Sequence, residues 1–151
     1  MHSIVISDTS CFIILSKIGE LNILKDLYSK VYTTTVIAEE YGDVLPDWVE
    51  VVHISDENKQ RLLEIQIDKG EASALVFALE NPGSIIILDD NKARKIALQL
   101  GITITGTFGV IVKAKLNGII PTVKPIIDKI RQTNFRISLI VEEEILRQAG
   151  E

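Results

Sequence analysis

Between the Pro82-Gly83 turn and the Asp89-Asp90 pair, residues 84–88 form a continuous apolar run rich in isoleucine. A strand without apolar–polar alternation is buried on both faces, as an inner strand of a parallel sheet is when helices cover each side. That single segment already constrains the fold, because parallel strands need crossover connections, usually helical. The rest of the chain supplies them. Residues 3–7 read as a strand that stops at Asp8-Thr9-Ser10 and gives way to an apolar helical stretch over 11–18. Gly19 breaks that pattern, after which Leu21, Ile23, Leu24 and Leu27 recur at helical spacing.

A strand over 30–34 follows, with Thr35 as candidate cap of a helix that carries Val36, Ile37, Glu39 and Glu40 toward a stop at Gly42. Pro46 marks a loop. Residues 49–54 predict a strand and 56–67 a helix; Lys69-Gly70 reads as a break before a helix over 71–80 with Ala74, Leu75 and Ala78 on one face. Beyond the 84–88 strand come a helix over 91–100, a strand over 102–105 and a helix over 106–116. Helices over about 122–132 and 138–148 close the chain. Strand and helix in alternation predict an α/β layer structure, a mostly parallel sheet with helices on both faces. With 151 residues, 46% of them hydrophobic, the chain suffices for one core, so a single domain over 1–151 is expected. No repeat or linker divides it.

The apolar runs fall well short of the roughly 20 residues of a membrane helix, and the N-terminal residues do not read as a secretory signal. A cytoplasmic protein without membrane association is expected. Cys11 is the only cysteine, which excludes an intramolecular disulfide or a multi-cysteine zinc site and fits a small buried hydrophobe. The net charge of -5 conceals an asymmetry. Residues 1–90 hold 6 Lys+Arg against 16 Asp+Glu, a net -10; residues 91–151 hold 10 against 5, a net +5. A chain so divided has the means to bind metal with one part and a phosphate backbone with the other, although an uneven solvated surface gives the same count.

Asp8 and Asp89-Asp90 share one setting, just past the carboxyl end of an expected core strand, where open α/β sheets place their ligands. Carboxylates brought together there repel one another and raise their pKa values unless a cation neutralises them. Oxygen donors favour Mg²⁺ or Mn²⁺ over zinc, and only His2 and His53 offer imidazole. Glu39 and Glu71 are further candidates. Each acid also has a plain structural role available: Asp8 and Asp89-Asp90 as helix caps, Glu71 as compensation of a helix dipole, and Glu39 as part of a solvated face.

Several segments in order carry a resemblance: Ile4-Val5-Ile6-Ser7-Asp8-Thr9-Ser10, Val36-Ile37-Ala38-Glu39, Gly70-Glu71-Ala72-Ser73-Ala74-Leu75, Ile87-Leu88-Asp89-Asp90-Asn91-Lys92-Ala93-Arg94, Gly106-Thr107-Phe108-Gly109 and Phe135-Arg136-Ile137-Ser138. Across nearly all of its length the chain resembles the VapC-like PIN-domain ribonucleases, toxins of toxin-antitoxin pairs. The resemblance implies a PIN-like fold and a metal site built from distant acids. Asp8 corresponds to the first-strand aspartate, Glu39 to the glutamate of the following helix, and Asp90 to the strand-end aspartate with Asp89 beside it. At the third acidic position Glu71 is acidic and Ser73 is not. Ser10 and Thr107 resemble polar residues lining such sites.

The expected activity is Mg²⁺- or Mn²⁺-dependent endonucleolytic hydrolysis of RNA, with Glu39 or Glu71 as proton acceptor. Lys92, Arg94, Lys95, Lys113, Lys115 and Arg136 are candidate phosphate contacts, and 5% aromatic content argues against extensive base stacking. The resemblance also implies a small antitoxin partner and a homodimer, for which Ile13, Ile14, Leu21 and Leu24 are candidate surface residues unless they are core. The alternatives are a catalytically inactive PIN-like module that binds RNA or protein, and a haloacid-dehalogenase-type phosphatase. The phosphatase lacks support because Ser10 stands where the second aspartate of its opening motif belongs.

Overall fold

Five parallel strands, β1 (Val5–Ser7), β2 (Val31–Thr34), β3 (Val49–Val52), β4 (Ile85–Ile87) and β5 (Thr103–Thr105), make one sheet in the order β3-β2-β1-β4-β5. This is a computed structural model that describes residues 3–151, so His2 lies outside the described residues. The chain is α/β, with helices flanking the all-parallel sheet, as the sequence predicted. β1 is buried at all three residues and β4 at its last two. Ser7 pairs with Ile87 across them. The chain builds outward from β1 toward β3 on one side and from β4 to β5 on the other, so the order reverses between β1 and β4. A crevice opens at the carboxyl ends of strands flanking such a switch point.

Most of the helices begin where a side chain satisfies a free backbone N–H group. Asp8 caps α1 (Thr9–Lys17), Asp68 caps α5 (Lys69–Glu80), Asp90 caps α6 (Asn91–Gln99) and Ser138 caps α9 (Leu139–Gln148). Two expected boundaries move for this reason. Thr34, not Thr35, accepts the Ile37 N–H and caps α3 (Thr35–Tyr41). Lys69-Gly70, read as a break, form the first turn of α5, because Asp68 and Glu71 make a reciprocal capping box. α4 (Glu57–Leu63) is shorter than the expected 56–67, and its last turn dissolves into three-residue turns at Ile65 and Gln66.

The core lies on both faces of the sheet. α5 is buried at every residue from Ala72 to Ala78. α8 (Lys124–Arg131) buries Ile126, Ile127 and Ile130, and Glu142 of α9 ties it down through Lys124 at 2.9 Å and Arg131 at 3.2 Å. Of the residues considered for self-association, Ile14 and Leu24 are buried core, Leu21 is half-buried and packs on that core, and Ile13 is exposed. Cys11 is fully buried. No helix among the described residues is long and apolar enough to cross a membrane.

A buried polar seam crosses this core. The Ser73 hydroxyl donates to the Gly70 carbonyl at 2.7 Å, so its 2.6 Å contact with Thr34 takes the Thr34 proton. Thr34 accepts from Ile37 N–H, and Thr33 donates to the Ser7 carbonyl at 3.0 Å. The seam joins the starts of α3 and α5 through hydrogen bonds that are all satisfied. Thr34→Val keeps the β-branched shape but removes a cap and Ser73's donor. It should cost about 1–3 kcal/mol in urea unfolding, and an unchanged midpoint would contradict the seam's role.

Candidate functional site

At the switch point the end of β1 delivers Asp8, which is 5% exposed. Its Oδ1 accepts the Cys11 N–H at 2.9 Å, and its Oδ2 accepts the Asp89 N–H at 3.0 Å across the β1–β4 gap. Burial pushes the Asp8 carboxyl up to about 8, and the charge of Asp89 adds to the effect; the two backbone donors oppose it. Glu71, in the first turn of α5, is pushed up to about 7 by partial burial and then by the charges of Asp68 and Asp90. Asp8, Thr9, Ser10, Glu40, Asp68 and Glu71 line a cleft of ≈ 390 Å³.

Glu40, rather than the expected Glu39, reaches this cleft. Thr9 Oγ1 donates to Glu40 Oε1 at 2.8 Å, and the Glu40 carboxylate lies where a Cβ on residue 70 would be, so the glycine there admits it. Glu39 lines a separate hollow with His53, Glu57 and Lys69. Consecutive helical residues diverge by about 100°, and Glu40 stands three residues after the buried Ile37, on the side that faces α1 and α5. The same helical spacing applied to Ile37 selects Glu40 from the sequence. Thr9 and Asp68 were also missed; the Asp68-to-Glu71 spacing is a capping-box signal.

Asp89 turns away from the cleft lining. Its Oδ1 accepts Thr107 N–H at 2.8 Å and its Oδ2 accepts the Thr107 hydroxyl at 2.5 Å. Thr107, 1% exposed, therefore holds Asp89 rather than lining the cleft, while Ser10 does line it. Asp90 accepts the Ala93 N–H at 2.9 Å as cap of α6, and its charge reaches Glu71. Asp8 and Asp90 are thus both cap and candidate site acid, whereas Asp89 is not a cap.

The candidate cations divide. Arg94 donates to the Leu88 carbonyl at 2.8 Å, Lys115 to the Ala149 carbonyl, and Lys113 sits 4.9 Å from the Tyr28 ring centroid. Lys92, Lys95 and Arg136 are exposed, with no carboxylate partner among the described residues.

Among the described residues no three His, Cys, Asp or Glu side chains converge as a ready metal cage. The donor set nevertheless suits a hard divalent cation. Oxygen donors surround an open cleft, and the Asp8 and Glu71 carboxyls have pKa values raised by burial and then by neighbouring acidic charges. Mg²⁺ keeps several waters and takes one or two carboxylates rather than an all-protein cage. Asp8, Glu40 and Glu71 are the side chains available to it.

A parallel α/β sheet with an acidic cleft at its switch point puts its carboxylates where proteins of this class bind their ligands. A family model described as a PIN domain matches residues 4–151, and the chain belongs to the PIN-domain family. PIN domains are typically metal-dependent nucleases. No curated protein matches the chain, and no solved structure does.

Two outcomes follow for the metal-free protein. Asp8 keeps its proton in the folded chain up to about pH 8, whereas an unfolded aspartate loses it near about 3.9. The folded state therefore binds more protons over that window, and stability falls as pH rises through it; Glu71 acts in the same direction up to about 7. Thermal melts in chelator should show Tm declining from about pH 5 to about 8, and Asp8→Asn should flatten the decline; a level wild-type profile would contradict the site's electrostatics. Gly70→Ala should displace the flexible Glu40 carboxylate at little cost to Tm while weakening Mn²⁺ binding by calorimetry. Unaltered Mn²⁺ affinity would remove Glu40 from the ion's surroundings.

Proposed function

We propose that this PIN-domain protein is a Mg²⁺- or Mn²⁺-dependent endoribonuclease, a cytoplasmic toxin of the VapC type. The observation that carries this reading is the Asp8 carboxyl, buried and anchored at both oxygens at the edge of a cleft shared with Glu40 and Glu71. The ordered segments that resemble VapC-like proteins support the RNA substrate, a small antitoxin partner and a homodimer. Ile13 is the exposed residue of the proposed dimer patch.

One or two of Asp8, Glu40 and Glu71 would hold the ion, with water completing its shell and Asp90 adding negative charge near Glu71. When bound, a divalent cation supplies positive charge for the phosphate and acidifies a water. The chain's own residues do the rest. Thr9 fixes the Glu40 carboxylate through its 2.8 Å hydrogen bond, and Thr107 fixes Asp89, whose N–H in turn orients Asp8. Of the two acids considered as proton acceptor, Glu71 stands in the cleft with Asp8 and Glu40, whereas Glu39 does not. Ser10 lines the approach and offers a hydroxyl to a phosphate oxygen or a water. Lys92 and Lys95, on the exposed face of α6 that starts at Asp90, draw the RNA backbone toward the acids.

The test is cleavage of mixed single-stranded and structured RNAs in Mg²⁺, in Mn²⁺ and in chelator. Asp8→Asn and Glu40→Gln should each lower cleavage by roughly 10- to 100-fold or more, while Glu39→Gln should leave it unchanged. A loss with Glu39→Gln and none with Glu40→Gln would reverse the assignment. Folded protein that neither cuts RNA nor binds Mn²⁺ would leave the non-catalytic binding module as the reading.

A further inference from the structure

The segment between α8 and α9 carries a feature that the acidic cleft does not use. Arg131, Thr133, Asn134, Phe135, Arg136 and Ile137 line an open hollow of ≈ 750 Å³. Its shape is held from within. Arg131 donates to the Ile137 carbonyl at 2.9 Å while pairing with Glu142 at 3.2 Å. The Thr133 hydroxyl donates to the Ile130 carbonyl at 2.6 Å and accepts the Phe135 N–H at 3.1 Å. Phe135, 36% exposed, meets Phe108 edge-on, with ring centroids 6.0 Å apart at 61°. Phe108 directly follows Thr107, the residue that grips Asp89. The aromatic pair is thus tied to the acids through the first two residues of α7 (Thr107–Leu116) and the Asp89 carboxylate.

Resting on the ribonuclease reading, we infer that this hollow is a nucleotide subsite in which an unstacked base of single-stranded RNA lies on Phe135 and the adjoining phosphate pairs with Arg136. The chemistry discriminates between the two arginines. Arg131 is committed inward to Glu142 and a carbonyl, whereas Arg136 is exposed and has no carboxylate partner among the described residues. A held aromatic ring with a free guanidinium beside it is the arrangement that recognises a splayed base and its phosphate. Asn134 adds an amide within the same hollow, able to donate to and accept from a base edge. The exposed Leu139 and Ile140 of α9 are not part of its lining, so the hollow is a polar and aromatic site rather than a continuation of that apolar surface. Double-stranded RNA, whose bases are stacked away, does not fit this site. The subsite would fix which phosphate of a single strand lies over the acids, and with it the position of the cut.

The experiment uses the full chain in chelator, which prevents cutting, and a single-stranded RNA carrying one 2-aminopurine scanned along its length. Binding should quench the fluorophore at one position, and Phe135→Leu should abolish the quench and weaken binding roughly tenfold, with Phe135→Tyr restoring both. Arg136→Ala should weaken binding and lower the slope of log affinity against log salt by about one. Phe135→Leu that quenches and binds as the wild type does would overturn the subsite, as would equal competition by duplex RNA. The two readings fail separately. Phe135-dependent quenching without any cleavage in Mn²⁺ keeps the subsite and sinks the nuclease; cleavage at positions indifferent to Phe135 keeps the nuclease and sinks the subsite.

Discussion

The carboxylate of Asp8 is where the fold and the chemistry of this chain meet. One oxygen starts α1 by accepting the Cys11 N–H, and the other bridges to the Asp89 N–H beyond β4. The same side chain therefore terminates a strand, begins a helix and closes the sheet at its switch point. Neutralising such a group by protonation is the folded chain's response to burial. Any cation that settles nearby competes with that proton. Around Asp8 the neighbouring acids are fixed by similar double duties: Asp90 caps α6, and Glu71 closes a capping box. Helix N-termini, with their partial positive charge, gather the acids that would otherwise repel one another.

The supports behind the cleft are mostly hydroxyls. Thr107 grips Asp89 with both its N–H and its side chain, Thr9 reaches Glu40 from the neighbouring helix, and the Thr34–Ser73 pair locks the starts of α3 and α5 together. Short hydroxyl side chains lose little conformational freedom on burial compared with long polar ones. They hold the acids without adding a competing positive charge. Arg94 is the exception, because it donates to the Leu88 carbonyl and brings its positive charge close to Asp89.

The sheet was legible because its signals are local. The 84–88 run carried no alternation, and the polar residues that end β1 and β4 stand where the strands end. Asp8, Glu71, Asp89 and Asp90 were legible as acids at element boundaries, although Asp8 and Asp90 are also caps, Glu71 closes a capping box and Asp89 holds Thr107. Glu40 was missed in favour of Glu39 because adjacent residues share composition and differ only in direction around the helix, which the position of Ile37 decides. Arg94, Lys113 and Lys115 stood among the candidate phosphate contacts since nothing local reveals a carbonyl or ring brought against them by the fold. Lys69-Gly70 looked like a break because glycine disfavours helix interiors, while at the first turn it makes room for a carboxylate from α3.

The two walls of the cleft differ mechanically. On one side α5 is buried without interruption from Ala72 to Ala78, so Glu71 rides on an element that moves only if the core moves. On the other, Glu40 hangs on a long, exposed side chain from the seven-residue helix α3, steadied by a single hydroxyl. Were a cation bound between them, a hard jaw opposite a soft one would accommodate different ionic radii by swinging one rotamer rather than deforming the sheet. Discrimination between cations of equal charge would then fall to how readily each surrenders its hydration shell, a property of the ion rather than of the clasp.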